Sequence, residues 1–349
     1  MIAAAPARLL LDGETLTANW TWLATQSGGA VCGAAVKADG YGLGAVDVVR
    51  RLAAAGCRDF FVATWAEAEA LGSLPTGAAL SVLHGVRADD MAAARVSAAR
   101  PVLNSAQQVA RWRESGGGAC DVMVDTGMNR LGLSPAEACS GLLEGLPIET
   151  LMSHLACADE PGHSLTRRQQ AAFAAVRAAL PARRYSLANS AGIMLGADYA
   201  FDLTRPGLAV YGGIPVPGDA VQAAAIRPVA AIEAAVLQVR DVAAGNTVGY
   251  GATWRADRPS RIAIVNLGYG DGYLRPFARA GFAGDEGSPL PIRGRISMDL
   301  IAIDVTQADV AEGDWLPLRF DLPALAQASG LSQYELLTGL GHRFERRWR

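Results

Sequence analysis

Apolar and polar positions follow two regimes along the chain. Over roughly the first two-thirds, short apolar, β-branched runs alternate with alanine-rich stretches whose apolar residues recur at helical spacing. The runs predict strands at Gly33–Lys37, Phe60–Ala63, Leu80–Leu83, Pro101–Leu103, Asp121–Asp125, Thr150–His154, Arg184–Ala188 and Asp202–Arg205. Amphipathic helices are predicted between them, among others at Trp65–Leu71, Ala106–Glu114, Pro135–Glu144 and Leu165–Leu180. Eight strand-then-helix units in about 200 residues is the count of an α/β fold of the (β/α)8 TIM-type barrel class. Alternation alone also permits a doubly wound open sheet. The dinucleotide fingerprint Gly-x-Gly-x-x-Gly is absent after the first strand, where Gly40, Gly42 and Gly44 have the wrong spacing, and the barrel is favoured.

After about Ala225 the pattern changes. Val229–Val239, Ile262–Gly268 and Ile301–Val305 read as strands separated by turns such as Ala244-Gly245-Asn246 and Gly284-Asp285-Glu286-Gly287. The expected organisation is therefore a barrel over residues 1–225 and a mainly β domain over 226–349, with Pro215–Ala220 as the link.

Composition narrows the function classes. Apolar residues make up 51% and charged residues 19% of the 349 positions, enough for a sizeable core. A formal net charge of -3 points to neither a nucleic-acid nor a membrane-surface partner, and the basic cluster Arg343, Arg346, Arg347 and Arg349 reads as a solvated tail. Five scattered cysteines without a Cys-x-x-Cys pair suggest buried free thiols in a reducing compartment. Residues 1–11 lack the features of a signal peptide, and no run reaches the ~18 apolar residues of a membrane span, so a cytoplasmic protein is expected.

Chemistry is expected where strands end, because the loops at the C-terminal face of such a barrel form its active site. Lys37 closes the first strand among Ala34, Ala35, Val36 and Ala38. Burial there disfavours the ammonium and leaves an amine able to condense with an aldehyde. A lone lysine at a strand end is more commonly a snorkelling side chain; its company changes the balance. Tyr41 follows in a Gly-Tyr-Gly turn. Asn189 and Ser190 follow the seventh strand, and Gly207 and Leu208 the eighth, where such barrels frequently bind phosphate. Strand eight lies beside strand one in a closed barrel, so that phosphate would sit next to Tyr41. Singly, Ser190 reads as a helix cap, Gly207 as a turn residue and His154 as a core histidine. Four histidines without His-x-x-x-His spacing make a catalytic metal improbable.

These residues also carry a family resemblance. Ala35-Val36-Lys37-Ala38-Asp39-Gly40-Tyr41-Gly42-Leu43-Gly44 is similar to the cofactor-lysine signature of alanine racemases, fold-type III pyridoxal-phosphate enzymes. The match continues through the segments 124–132, 152–159, 188–192, 205–212, 248–254, 268–272 and 294–299, and ends at Tyr334. The resemblance implies that Lys37 holds pyridoxal 5'-phosphate as a Schiff base and acts as the base for the D-enantiomer, with Tyr250 as the base for the L-enantiomer. It further implies that Tyr41, Ser190, Gly207, Leu208 and Tyr334 hold the phosphate. Arg205 would bond the pyridine nitrogen with His154 behind it. Arg130 and Met298 would position the substrate carboxylate and the cofactor's phenolic edge. The implied assembly is a head-to-tail homodimer in which Tyr250 and Met298 enter the partner's barrel, and the implied product, D-alanine, serves bacterial cell-wall synthesis.

Two positions depart from the family pattern. Leu43 stands where many members have histidine, and Met123 where many have a lysine that orients the arginine matching Arg130. Methionine is only a weak acceptor, so another group must hold Arg130. Two rivals share the barrel: a non-catalytic pyridoxal-phosphate carrier, which lacks the β domain, and a basic amino-acid decarboxylase, against which the Tyr250 and Met298 segments argue. Bulky Tyr250, Tyr334 and Met298 suggest a pocket sized for alanine. An apolar pocket rejects an added hydroxyl only about 100-fold, which leaves serine turnover open.

Overall fold

In the computed structural model the chain divides into two units, Leu16–Arg227 and a second formed by Met1–Thr15 with Pro228–Arg349. Residues 5–285 and 287–349 are described; the first four residues of the 1–11 segment and Glu286 of the predicted 284–287 turn lie outside them.

The first strand, β1 (Ala7–Leu11), corrects the expected domain boundary. It does not belong with the barrel, to which the sequence reading assigned all of residues 1–225. It pairs antiparallel with β11 (Ala230–Val242), Ala7 opposite Ala234, and parallel with β19 (Glu345–Trp348), Arg8 opposite Glu345. Its burial alternates, with Ala7, Leu9 and Leu11 buried, as expected of a strand with one covered face. The expected link at Pro215–Ala220 is likewise displaced. Asp219 caps a further short helix, Ala220–Ala225, and the chain leaves this unit only after Arg227.

In the Leu16–Arg227 unit the strands are β2 (Val31–Cys32), β3 (Ala34–Ala35), β4 (Asp59–Val62), β5 (Ala79–Val82), β6 (Arg100–Leu103), β7 (Cys120–Met123), β8 (Ile148–Met152), β9 (Arg184–Ser186) and β10 (Leu203–Thr204). β3 to β9 form a continuous parallel sheet, each strand pairing with the next. Backbone bonds close it. Val31 N donates to Asp202 O (3.0 Å), Gly33 N to Thr204 O (2.9 Å) and Ala35 N to Pro206 O (2.8 Å), so β2 and β3 act as one strand against β10. Asp202 N to Tyr185 O (3.0 Å) and Arg205 N to Ala188 O (2.9 Å) join β10 to β9. All eight predicted barrel strands are present, each offset by no more than two residues. The helices Trp65–Leu71 and Ala106–Glu114 have the predicted bounds, whereas the Pro135–Glu144 helix shortens to Pro135–Glu137 followed by a wider turn.

A polar layer crosses the barrel near the strand starts. Arg184 on β9 grips Asp59 on β4 through two bonds of 2.9 and 2.6 Å. Asp121 on β7, fully buried, accepts from Ser81 on β5 at 2.5 Å and faces Arg100 on β6 at 3.4 Å. Pairing across the barrel is what makes such burial tolerable, because a lone interior carboxylate is strongly disfavoured.

In the other unit the long strand β11 also pairs with β14 (Ser260–Val265) and β18 (Trp315–Leu318), and β14 pairs with β17 (Ile301–Asp304). The short pair β15 (Phe282–Ala283) and β16 (Leu290–Pro291) extends it through β18, and β12 (Thr247–Val248) with β13 (Trp254–Arg255) forms a two-stranded sheet of its own. Two helices, Leu322–Ser329 and Gln333–Thr338, complete it. No helix among the described residues is long and apolar enough to cross a membrane. All five cysteines are free; Cys32, Cys57 and Cys120 are buried as expected, but Cys139 is exposed and Cys157 partly so.

Candidate active site

Lys37 follows β3 by two residues and opens an uncommon turn. Ala38, Asp39, Gly40 and Tyr41 all take left-handed backbone angles, φ 52°, 52°, 62° and 56°. Each non-glycine residue in that conformation costs roughly 1–2 kcal/mol, so the turn must be held from outside. Two carboxylates hold it. Glu67 accepts from Ala38 N (2.8 Å) with one oxygen and from Ala63 N (2.6 Å) with the other, and Asp39 accepts from Ala45 N (2.8 Å).

The turn places Tyr41 at a second feature, a cradle of small groups. Ser190 begins the helix Ser190–Ile193, capped by Asn189, and its hydroxyl accepts from Gly207 N (2.9 Å) and Ala209 N (3.3 Å). A methyl group built on Gly207 would lie 2.1 Å from the Tyr41 hydroxyl. Glycine is therefore required there by close approach. Tyr41 stacks on Tyr211, ring centroids 4.5 Å apart, and the Tyr211 hydroxyl donates to Ala35 O at 2.8 Å. The Tyr41 and Ser190 hydroxyls, with the Leu208 amide beside them, are donors of the kind that suits a phosphate.

Three cations share this end of the barrel. Arg205, buried, donates to Ser186 Oγ and, at 2.6 Å, to Ser153 O. Burial brings Arg205 down to about 10, with the Asp121 carboxylate opposing, so it stays charged near neutrality. Burial, then the positive charge of Arg130 and of Arg205, hold Lys37 below the ordinary ammonium range; Glu67 acts the other way. His154 is pushed down to about 3 by burial and by Arg205, Arg130 and Lys37, and is neutral at physiological pH. The site thus places an amine whose ammonium form is disfavoured in surroundings suited to anions. Among the described residues no group of three His, Cys, Asp or Glu is placed to hold a metal ion.

Arg130 is exposed, and its guanidinium has no ion-pair partner among the described residues. What is fixed is its loop. Asp125 accepts from the backbone of Gly127, Met128 and Arg130, each at 2.8 Å. Met123, buried at the end of β7, supplies no charge, and Leu43 is fully buried. Holding Arg130 is thus achieved through its backbone, by a carboxylate two residues beyond Met123.

The remaining candidates, Tyr250, Met298 and Tyr334, are carried by the β unit and are 71%, 53% and 43% exposed. Tyr250 lines a cavity of about 770 Å³ with Arg295, Ser297 and Leu300. A methyl group built on Gly251, the residue after Tyr250, would touch the Arg295 guanidinium at 3.5 Å. Met298 sits in a loop clamped by Tyr269 N to Ser297 O (3.0 Å) and Gly270 N to Met298 O (2.9 Å), with Arg343 bridging Asp271 and Asp299 at 2.6 and 2.7 Å. Tyr334 lies in the Gln333–Thr338 helix, which Ser332 and Glu335 cap reciprocally.

The alanine racemase N-terminal domain model matches residues 11–215, and the C-terminal domain model matches 229–348. The chain belongs to the alanine racemase family. The alanine racemase of Acidiphilium cryptum is 44% identical over 351 residues, spanning 97% of each chain. Two solved family members superpose over nearly the whole chain. That of Bartonella henselae, with covalently bound pyridoxal phosphate, has a TM-score of 0.89 at 36% identity, covering 99% of this chain and 100% of that one. The biosynthetic alanine racemase of Pseudomonas aeruginosa gives 0.87 at 32%, with the same coverage. Sequence reasoning did not single out Glu67, Asp125 or Tyr211, which hold the segments around Lys37, Arg130 and Tyr41. The Thr64-x-x-Glu67 capping pattern is legible, but the reach of Glu67 to Ala38 is not.

Proposed function

We propose that this chain is a pyridoxal-phosphate-dependent alanine racemase that interconverts L- and D-alanine. The observation that carries the reading is Lys37, an amine held below the ammonium range, in the same left-handed turn as Tyr41, whose hydroxyl lies against Gly207 beside the Ser190 hydroxyl so closely that a methyl group on Gly207 would clash. Lys37 would bind the cofactor's aldehyde; Tyr41, Ser190, Gly207 and Leu208, with Tyr334, would bind its phosphate. When bound, the cofactor supplies an electron sink for the charge left on the α-carbon. Inversion needs a proton removed from one face and returned on the other, which two bases do directly. Lys37 serves the face of the D-enantiomer, and Tyr250, from a second copy arranged head-to-tail, serves that of the L-enantiomer.

Arg205 would face the ring nitrogen. A guanidinium does not release its proton near neutrality, so that nitrogen stays unprotonated and transamination is suppressed. His154 stands behind Arg205 as a neutral imidazole, while Arg130 and Met298 position the substrate carboxylate and the phenolic edge. The product would feed the class of reactions that builds D-alanine into the bacterial cell wall.

Incubation with L-alanine followed by chiral chromatography tests the reading. An approach to equal amounts of both enantiomers is expected, because they have the same free energy in water. No product would indicate a carrier, and an amine a decarboxylase. Tyr250→Phe is expected to lose α-deuterium exchange with L-alanine while retaining exchange with D-alanine. Equal exchange of both enantiomers would sink the two-base assignment.

A further inference from the structure

Lys37 sits at the base of a backbone segment that polypeptides avoid. Ala38, Asp39 and Tyr41 are left-handed without being glycine. Internal bonds, Gly40 N to Val36 O (2.9 Å) and Gly42 N to Ala38 O (2.8 Å), close the turn, but comparable bonds would form in a right-handed turn at lower energy. The choice of hand must come from contacts outside the turn.

Glu67 makes the contact nearest Lys37. Its side chain comes from the helix Trp65–Leu71, which follows β4, the barrel neighbour of β3. One oxygen completes the helix cap, accepting from Thr64 N at 3.4 Å and also from Ala63 N at 2.6 Å, while Glu67 N donates to the Thr64 hydroxyl at 3.2 Å. An ordinary capping glutamate stops there. In this chain the other oxygen reaches Ala38 N, the amide directly after Lys37, at 2.8 Å. A single carboxylate therefore fastens the Lys37 turn to the rigid end of the adjacent strand.

We propose that Glu67 is a positioning residue for Lys37, fixing the hand of the turn that aims its amine and placing a carboxylate on the amide directly after it. The proposal rests on the reading that Lys37 carries the cofactor. Arg130 and Arg205 push the Lys37 proton off, and Glu67 works against them, so it sets the balance of the amine as well as its place. Glutamate is required because both oxygens accept from amides. Glutamine would present an NH2 to one of them, and aspartate is one methylene too short to span both.

The test uses holoenzyme, with Glu69→Gln as the reference, since Glu69 is exposed on the same helix. Visible absorption of the lysine-bound cofactor is followed from about pH 5 to pH 10, where such protons leave. Loss of the Glu67 charge in Glu67→Gln is expected to move the midpoint down by about half a unit or more. Cofactor loss on dialysis should quicken about 10-fold, one lost charge-assisted bond's worth. Glu67→Asp keeps the charge and should hold the midpoint near wild type while still losing cofactor faster. An unmoved midpoint in Glu67→Gln with native circular dichroism, or an equal shift in Glu69→Gln, overturns the proposal. Should Glu67→Gln not fold, wild-type cofactor retention in Glu67→Asp overturns it. Borohydride reduction and peptide mapping separate the two readings. Label on a lysine other than Lys37 defeats the functional one, whereas label on Lys37 with an unmoved midpoint defeats only the role of Glu67.

Discussion

At the scale of single residues, the site depends on atoms that are missing as much as on those present. At a φ of -130° Gly207 lies outside the left-handed region, so left-handed backbone is not what refuses a side chain there. It is refused by the Tyr41 ring, whose hydroxyl and Cζ would stand 2.1 and 2.8 Å from a new methyl. Tyr41 cannot retreat freely, because it stacks on Tyr211, which is itself anchored to Ala35 O. Gly207→Ala should therefore displace the Tyr41 hydroxyl, weakening cofactor retention about 10-fold or more and destabilising the fold by about 1–3 kcal/mol, as overpacked sites do. Equilibrium dialysis and denaturant unfolding measure the two effects. Wild-type retention in this variant would mean that the cradle does not bind the phosphate.

At the scale of elements, the barrel separates a polar layer near its strand starts from a functional rim at its strand ends. The layer is structural, and its loss should be felt in stability. In Arg184→Ala the Asp59 carboxylate would stay buried without its two charged bonds, at a cost of about 3–5 kcal/mol. A correspondingly lower denaturation midpoint is expected, with cofactor retention unchanged at temperatures where the variant is folded. A loss below about 1 kcal/mol would show that water compensates Asp59.

The barrel's eight strands were legible because each is a short apolar run between helical stretches, a pattern that depends on neighbours in sequence. The left-handed turn was not, since Ala38, Asp39 and Tyr41 lack the glycine that usually marks positive φ. Nor was the placement of β1. Its alternation suits any half-buried strand, and its partners on β11 lie more than 200 residues away. The polar layer was hidden for a similar reason: Asp59, Arg100 and Arg184 open their strands and read as solvated ends until closure brings them face to face. Lys37, His154 and Arg205 could be singled out as candidates because they close strands, whose ends in such a barrel face its functional rim. Their neighbours Glu67 and Asp125 act through backbone amides, which sequence does not display.

At the scale of the whole molecule, the candidate bases lie on different units, Lys37 on the barrel and Tyr250 on the β unit. The β unit exposes Tyr250, Met298 and Leu300, large apolar side chains that water does not favour, and a second copy of the chain is the occupant proposed for them. If each active site combines Lys37 of one copy with Tyr250 of the other, two defective chains should complement. Lys37→Ala and Tyr250→Phe homodimers would each carry the same defect in both sites. In the mixed dimer one site collects both defects and the other none. Random exchange makes half the dimers mixed, so activity should return to about a quarter of wild type. The measurement is L-alanine racemisation after the two purified variants are mixed under conditions that allow subunit exchange. Recovery requires the two residues of a site to come from different chains. If both came from one chain, every chain in the mixture would be defective and activity would stay at the level of the separate variants.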